Sequence, residues 1–161
     1  MKGRIKTYEG SWTREEVKQD SNNYYVFGDN TLDRLGGYVP TETQAVIRGL
    51  PNAIGIDTKT DRRKFSFSYL NDSYLKDEKY LNHLNTQFKL IEKALNEGHD
   101  VYVPVSNGQL AIGTGKAKLP EKAPQLYALL REKFNTLYKE YNNDIEKQNE
   151  ENLESFNDEV D

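Results

Sequence analysis

The apolar positions of this chain follow two different periods. Tyr80, Leu84, Phe88, Ile91 and Leu95 step by four, four, three and four residues, and Leu126, Leu130, Phe134, Leu137 and Tyr141 repeat that spacing. Such intervals place side chains on one face of a 3.6-residue helix, so each segment predicts a long helix buried along one stripe. Gly98 closes the first of them. Three shorter runs have strand composition instead: Tyr24 to Phe27, Asn52 to Asp57 and Val101 to Val105. Weaker patterns complete the chain. Residues 3–8 alternate as an edge strand does, and Trp12 to Asp20 reads as a short helix opened by Thr13. Thr41 to Gly49 reads as a short helical run with its own capping residue. Phe65 to Leu70 alternates aromatic side chains with serine, as a strand or an extended lid would. This order of elements predicts an α/β fold: a single layered domain with a mixed central sheet flanked by helices.

Two glycine loops interrupt the pattern at informative places. The run from Val105 to Pro120 follows a predicted strand, precedes a predicted helix and contains Gly113-Thr114-Gly115-Lys116. Glycines without a Cβ let the backbone approach a ligand, and exposed N–H groups there suit a phosphate. A Walker loop is excluded, because Leu110 stands where its first glycine belongs and Ala117 stands where it needs a hydroxyl. A dinucleotide fingerprint fails at Lys118, the position of its third glycine. The second loop, Gly36-Gly37, leads onto the helical run that begins at Thr41, which is again a setting for an anion. Between the two loops, Gly28-Asp29-Asn30 ends one predicted strand and Thr58-Lys59 ends another. In open α/β sheets, ligands bind outside the carboxyl ends of strands. Asp29, Asn30 and Lys59 are therefore candidates for ligand contact, although Asp29 and Asn30 also have the composition of a helix cap. Arg62, Arg63 and Lys64 read as a solvated charge run.

Composition narrows the class. The 161 residues suffice for one domain with a core, drawn as residues 1–141, followed by an acidic tail over residues 142–161. That tail holds eight carboxylates against Lys147, a charge of −7, so the body carries +3 of the overall −4. A slightly basic body suits an anionic ligand in a pocket better than a long nucleic-acid track. The chain has no cysteine, and its two histidines, His83 and His99, lack metal spacing, so no metal site is expected and no cofactor is implied. No apolar run approaches membrane-spanning length and the first residues lack a signal-peptide core, which points to a soluble cytoplasmic protein.

Several blocks occur in a fixed order: Phe27-Gly28-Asp29-Asn30, Gly36-Gly37, Gln44-Ala45 with Arg48-Gly49, Pro51-Asn52-Ala53-Ile54-Gly55-Ile56, Thr58-Lys59, and Gly113-Thr114-Gly115 with Ala117, Leu119-Pro120 and Ala123-Pro124. Over roughly residues 22–140 they resemble a family of small uncharacterised phage and bacterial proteins. More distantly, the layout is similar to the macrodomain fold, which binds ADP-ribose, and within it to the class that removes terminal ADP-ribose from acidic side chains. The resemblance implies a nucleotide of the ADP-ribose or NAD type as ligand. Gly28, Asp29, Asn30, Gly36, Gly37, Thr58, Gly113, Thr114, Gly115 and Lys116 would bind it, and Lys59 and Asp29 are the catalytic candidates. In that class the lysine attacks the ribose and an aspartate two residues past the second loop glycine assists it. Here Ala117 occupies that place, so binding without turnover is favoured over hydrolysis. A phage setting implies counter-defence in the host cytoplasm, by sequestering or reversing a nucleotide signal or modification. Nucleic acid enters as a partner only if ADP-ribosylated. The alternatives are a non-enzymatic inhibitor that docks on a host protein, and a structural or assembly protein in which the glycine loops are only turns.

Overall fold

The computed structural model describes residues 1–37 and 41–143. Four strands, β1 (Ile5–Tyr8), β2 (Tyr24–Asn30), β3 (Ala53–Lys59) and β4 (Val101–Ser106), form a sheet in the order β1-β4-β2-β3. All three neighbouring pairs are parallel. The domain is thus α/β with a mainly parallel sheet flanked by helices, and the expected mixed character is confined to a short strand, β5 (Gln109–Leu110), antiparallel to β4. Asn107-Gly108 turns this hairpin with both residues at positive φ (52° and 76°), the backbone that a tight two-residue hairpin requires.

Parallel strands need crossovers, and these fix the layers. Helix α1 (Arg14–Gln19) links β1 to β2, and Thr13 caps it by accepting the Glu16 N–H. A short helix α2 (Thr31–Gly36) and a 3₁₀ turn (Gln44–Ile47) lie between β2 and β3. Helix α3 (Glu78–Asn96) returns from β3 to β4, and α4 (Leu119–Lys122) with α5 (Pro124–Tyr141) closes the described chain. The stripes expected on α3 and α5 bury Leu84, Phe88, Ile91 and Leu95 and Leu126, Leu130, Phe134 and Leu137 against Val26, Ile54, Ile56, Val101 and Val103 of the sheet. Each such side chain contributes roughly 1.5–3 kcal/mol. A smaller cluster of Trp12, Val17, Tyr25, Phe27, Ala45, Ile47 and Leu50 covers the opposite face. Strand alternation makes this possible: Val26 points to one layer while Tyr25 and Phe27 point to the other.

Two expectations change. Phe65 to Leu70 is not a strand: Ser66–Ser68 forms a 3₁₀ turn, and only Tyr69 makes a β-bridge, to Lys59. The alternation of Phe with Ser marks no buried face, since Phe65 and Phe67 are more than half exposed and Ser66 between them is exposed too. The helical run expected from Thr41 shrinks to the 3₁₀ turn, capped by the Thr43 hydroxyl. Of the acidic segment, residues 144–161 lie outside the described residues. Asn142, which opens it, is buried and ties the end of α5 to β1: its Oδ1 accepts the Ile5 N–H at 3.1 Å and its Nδ2 donates to the Ile5 carbonyl at 3.0 Å. This carboxamide satisfies both outward backbone groups of one residue on an edge strand.

That tie predicts a sharp boundary. A chain ending after Asn143 should unfold in urea at the parent's midpoint, whereas one ending after Tyr141 should lose about 1–3 kcal/mol, the penalty for stripping hydrogen bonds from buried backbone. Equal midpoints for the two truncations would show that Asn142 holds nothing.

Candidate functional site

Because the strands are parallel, their carboxyl ends gather at one edge of the sheet, and there the sheet splits. β2 and β4 are paired only through Tyr24 with Val101 and Tyr25 with Tyr102. Beyond that point β2 continues beside β3 while β4 turns into its hairpin. The chain leaves β2 toward the Trp12 layer and leaves β4 toward the α5 layer, which makes this crevice the switch point where α/β sheets bind ligands. Gln44 spans it. Its Oε1 accepts the Gly28 N–H at 3.0 Å and its Nε2 donates to the Ala111 carbonyl at 2.8 Å. Above this bridge lies a cleft of about 370 Å³, lined by β2 residues, Arg48, Thr58, Lys59 and the loop after β5. Small-molecule sites span roughly 300–1,000 Å³.

The loop after β5 carries the cleft's donors. The carbonyls of Gly113 and Gly115 accept the N–H groups of Leu119 (2.8 Å) and Lys118 (3.1 Å). Among the described residues, none of the N–H groups of Gly113, Thr114, Gly115, Lys116 and Ala117 has a protein acceptor. Gly113, Gly115, Lys116 and Ala117 line the cleft, whereas Thr114 is exposed and does not. The two glycines serve different ends. At Gly113, with φ at 75°, a Cβ would lie 2.9 Å from Thr58 Cγ2 and 3.1 Å from Leu119 Cβ, so glycine there lets the loop pack on β3. At Gly115 a Cβ would meet nothing within 4 Å, so its missing side chain leaves space on the ligand side.

Asp29 commits one carboxylate oxygen to the protein. It is buried, and its Oδ1 accepts from Arg48 Nε (2.8 Å), Arg48 Nη2 (2.6 Å) and the Asn30 N–H (2.8 Å). Burial pushes the carboxyl up from its ordinary value, against the opposing pull of Arg48 and the Asn30 N–H. Asn30 caps α2 by accepting the Asp33 N–H at 2.9 Å, and its Nδ2 donates to the Asp33 carboxylate, which also binds Arg62 Nε at 2.8 Å. Capping and cleft lining, alternatives in the sequence, are both served by this one residue.

The Lys59 amine donates to the Arg63 carbonyl at 2.7 Å and lies 4.6 Å above the centre of the Tyr69 ring. Burial lowers its pKa from the ordinary value, Asp61 opposes, and Lys64 and Lys116 add to the lowering. Both direct contacts suit the ammonium form. Counting the charges that line the cleft, Arg48, Lys59, Arg62 and Lys116 face Asp29 and Asp33, a balance of +2. Asp57, near the end of β3, is not part of the lining and holds Thr31 and Arg34 instead.

The structure therefore brings together Gly28, Asp29, Asn30, Thr58, Lys59, Gly113, Gly115 and Lys116, but not Gly36, Gly37 or Thr114. It adds Gln44 and Arg48, which the sequence shows only as members of ordered blocks, and Arg62, which the sequence places in a solvated charge run. No sequence period marks the first two as partners of Gly28, Ala111 and Asp29, because those contacts are long-range. Among the described residues no cluster of His, Asp and Glu is suited to a metal ion, and no helix is long and apolar enough to cross a membrane. Residues 7–133 match the model of a family of unknown function (DUF7831). No curated protein and no solved structure matches.

Two substitutions separate structure from ligand space. Gly113→Val should lower stability by about 1–3 kcal/mol through strain at positive φ and the clash with Thr58, while Gly115→Val should melt with the parent. Arg48→Met, which strands a buried carboxylate, should cost about 3–5 kcal/mol. Chemical denaturation of the three variants checks all of this, and a Gly113→Val protein as stable as the parent would contradict the packing role.

Proposed function

We propose that this chain, which belongs to the DUF7831 family of unknown function, binds a phosphate-bearing nucleotide of the ADP-ribose or NAD type in the cleft between β2 and β4. The observation that carries the reading is the run of backbone N–H groups from Gly113 to Ala117 without protein acceptors, set beside Lys59 and Lys116. Successive N–H groups in such a turn form a concavity for anions, and charge-assisted bonds to phosphate oxygens are stronger than neutral ones. A macrodomain-like assignment of the fold belongs to the same proposal, supported by the order of the sequence blocks and by a ligand cleft at the carboxyl ends of the strands.

Binding without turnover is the favoured form. Ala117 carries no acid or base, and Arg48 holds Asp29 in an ion pair through Oδ1. Lys59 then serves as a protonated phosphate partner. In this reading the protein sequesters its nucleotide, and in a phage-infected cell it would act in the host cytoplasm against a nucleotide signal.

Calorimetry with ADP-ribose and NAD tests the reading. The parent should bind at least one of them, Gly115→Val should lose ten-fold or more in affinity without losing stability, and Lys59→Arg should retain most of it, since arginine also pairs with phosphate. The parent should release no ADP-ribose from modified protein or DNA. Failure of every such nucleotide to bind would remove the proposal. Steady release that Lys59→Arg abolishes would make Lys59 a nucleophile and the protein a hydrolase.

A further inference from the structure

Beside the cleft stands a loop whose composition the nucleotide site does not use. Residues 60–69 leave the end of β3 and return to it, closed by the Thr60 N–H on the Ser68 carbonyl (3.0 Å), the Thr60 hydroxyl on the Phe67 carbonyl (2.7 Å) and the bridge between Lys59 and Tyr69. At its tip, the rings of Phe65 and Phe67 stack with centroids 5.2 Å apart and planes 18° from parallel, although they are 55% and 59% exposed. The Arg63 guanidinium lies 5.4 and 5.0 Å from the two ring centres and is itself held by Asp61. The pair is thus fixed from within the loop while its outer ring faces meet solvent. Adjacent exposed rings of this kind form an apolar patch, and such patches mark interaction surfaces.

Charge identifies the partner. From Lys59 to Tyr69 the chain carries Lys59, Arg62, Arg63 and Lys64 against Asp61, and with Asp33 paired to Arg62 the balance is +2. Lys122 adds a further cation, 5.1 Å above Tyr69. This strip is continuous with the cleft, because Arg62 and Lys59 line the cleft and the Lys59 amine bonds the Arg63 carbonyl. Cations set beside exposed aromatic rings are the elements that hold single-stranded nucleic acid, the rings stacking bases and the cations following phosphates. We propose that residues 62–67 form a docking strip for a single strand of DNA or RNA, whose terminal or modified nucleotide enters the cleft. The proposal rests on the cleft being a nucleotide-phosphate site and adds that the nucleotide arrives on a strand.

Fluorescence anisotropy with a short 5′-phosphorylated, unstructured oligonucleotide tests this, run in parallel with ADP-ribose calorimetry on the same full-length proteins. The parent should bind the oligonucleotide, and its affinity should fall as salt rises, with a slope of about −0.7 per phosphate contact. Phe65→Ala combined with Phe67→Ala should weaken oligonucleotide binding about ten-fold or more, as the loss of base stacking demands, and should leave ADP-ribose affinity and the melting temperature unchanged. Phe65→Tyr with Phe67→Tyr should restore it. Parent protein that binds ADP-ribose but no oligonucleotide, or a double alanine variant that binds the oligonucleotide as well as the parent does, overturns the strip and leaves the cleft reading intact. Binding of the oligonucleotide with ring dependence but no binding of any free nucleotide would instead sink the cleft reading and, with it, the entry of the terminal nucleotide. Equal competition by an acidic polyglutamate peptide would show that the surface takes an acidic protein, and overturns the proposal as well.

Discussion

The site depends on one carboxamide. Where β2 and β4 separate, the sheet loses the hydrogen bonds that would otherwise join them, and Gln44 replaces part of that ladder with its own donor and acceptor. Only a side chain carrying both an N–H and a C=O at its tip meets the Gly28 N–H and the Ala111 carbonyl together. A glutamate would accept from the first and repel the second. The bridge keeps the crevice open at a fixed width, so the cleft exists before any ligand arrives. Preformed space of this kind reduces the ordering that binding must otherwise supply.

The second constraint is electrostatic. Asp29 and Arg48 are each only 5% exposed, and burying them together is tolerable only because the guanidinium makes two short contacts and the Asn30 N–H supplies a third. Such a pair adds little net stability compared with apolar packing of equal volume, yet it fixes geometry, because the loss of either partner leaves a charge uncompensated. Gly55 belongs to this arrangement. A Cβ there would come within 2.9 Å of both the Asp29 carboxylate and the Phe27 ring, so the small residue on the edge strand is what admits the ion pair to the layer beneath the cleft.

The sequence shows the layers more plainly than it shows the site, for a physical reason. The stripes of α3 and α5 and the three strands with apolar runs are periodic, and the periods come from local geometry that burial then selects. Gly113 and Gly115, Thr58 and Lys59 were legible because loop glycines and polar residues at strand ends have local signatures. Gln44, Arg48 and Arg62 lack one: each acquires its role from a partner sixteen or more residues away, at Gly28, Asp29 or Asp33. Phe65 to Leu70 misled in the other direction, since its alternation buries no face: Phe65, Ser66 and Phe67 are all exposed. The hairpin at Asn107-Gly108 carries a strong local signal that the surrounding glycine-rich run obscured.

The loop from Gly113 to Ala117 decides what kind of ligand can profit from this cleft. Its donors without protein acceptors turn to water when the cleft is empty, and a ligand gains only the difference between its acceptors and those of water. A neutral sugar hydroxyl offers nearly the same bond and little advantage. A phosphate oxygen offers a charge-assisted bond, and the +2 balance of the lining is then partly neutralised instead of remaining as repulsion among Lys59, Lys116 and Arg62. The lowered pKa of Lys59 has the same origin, since burial and neighbouring cations disfavour its ammonium form. A bound phosphate would relieve that penalty, strengthening both the lysine's charge and its hold on the ligand. The coupling runs both ways, so affinity for a phosphorylated ligand should fall as pH rises through the Lys59 pKa of the free protein. A cleft built around a nucleophilic lysine would require the opposite, an amine kept neutral while the nucleotide is bound.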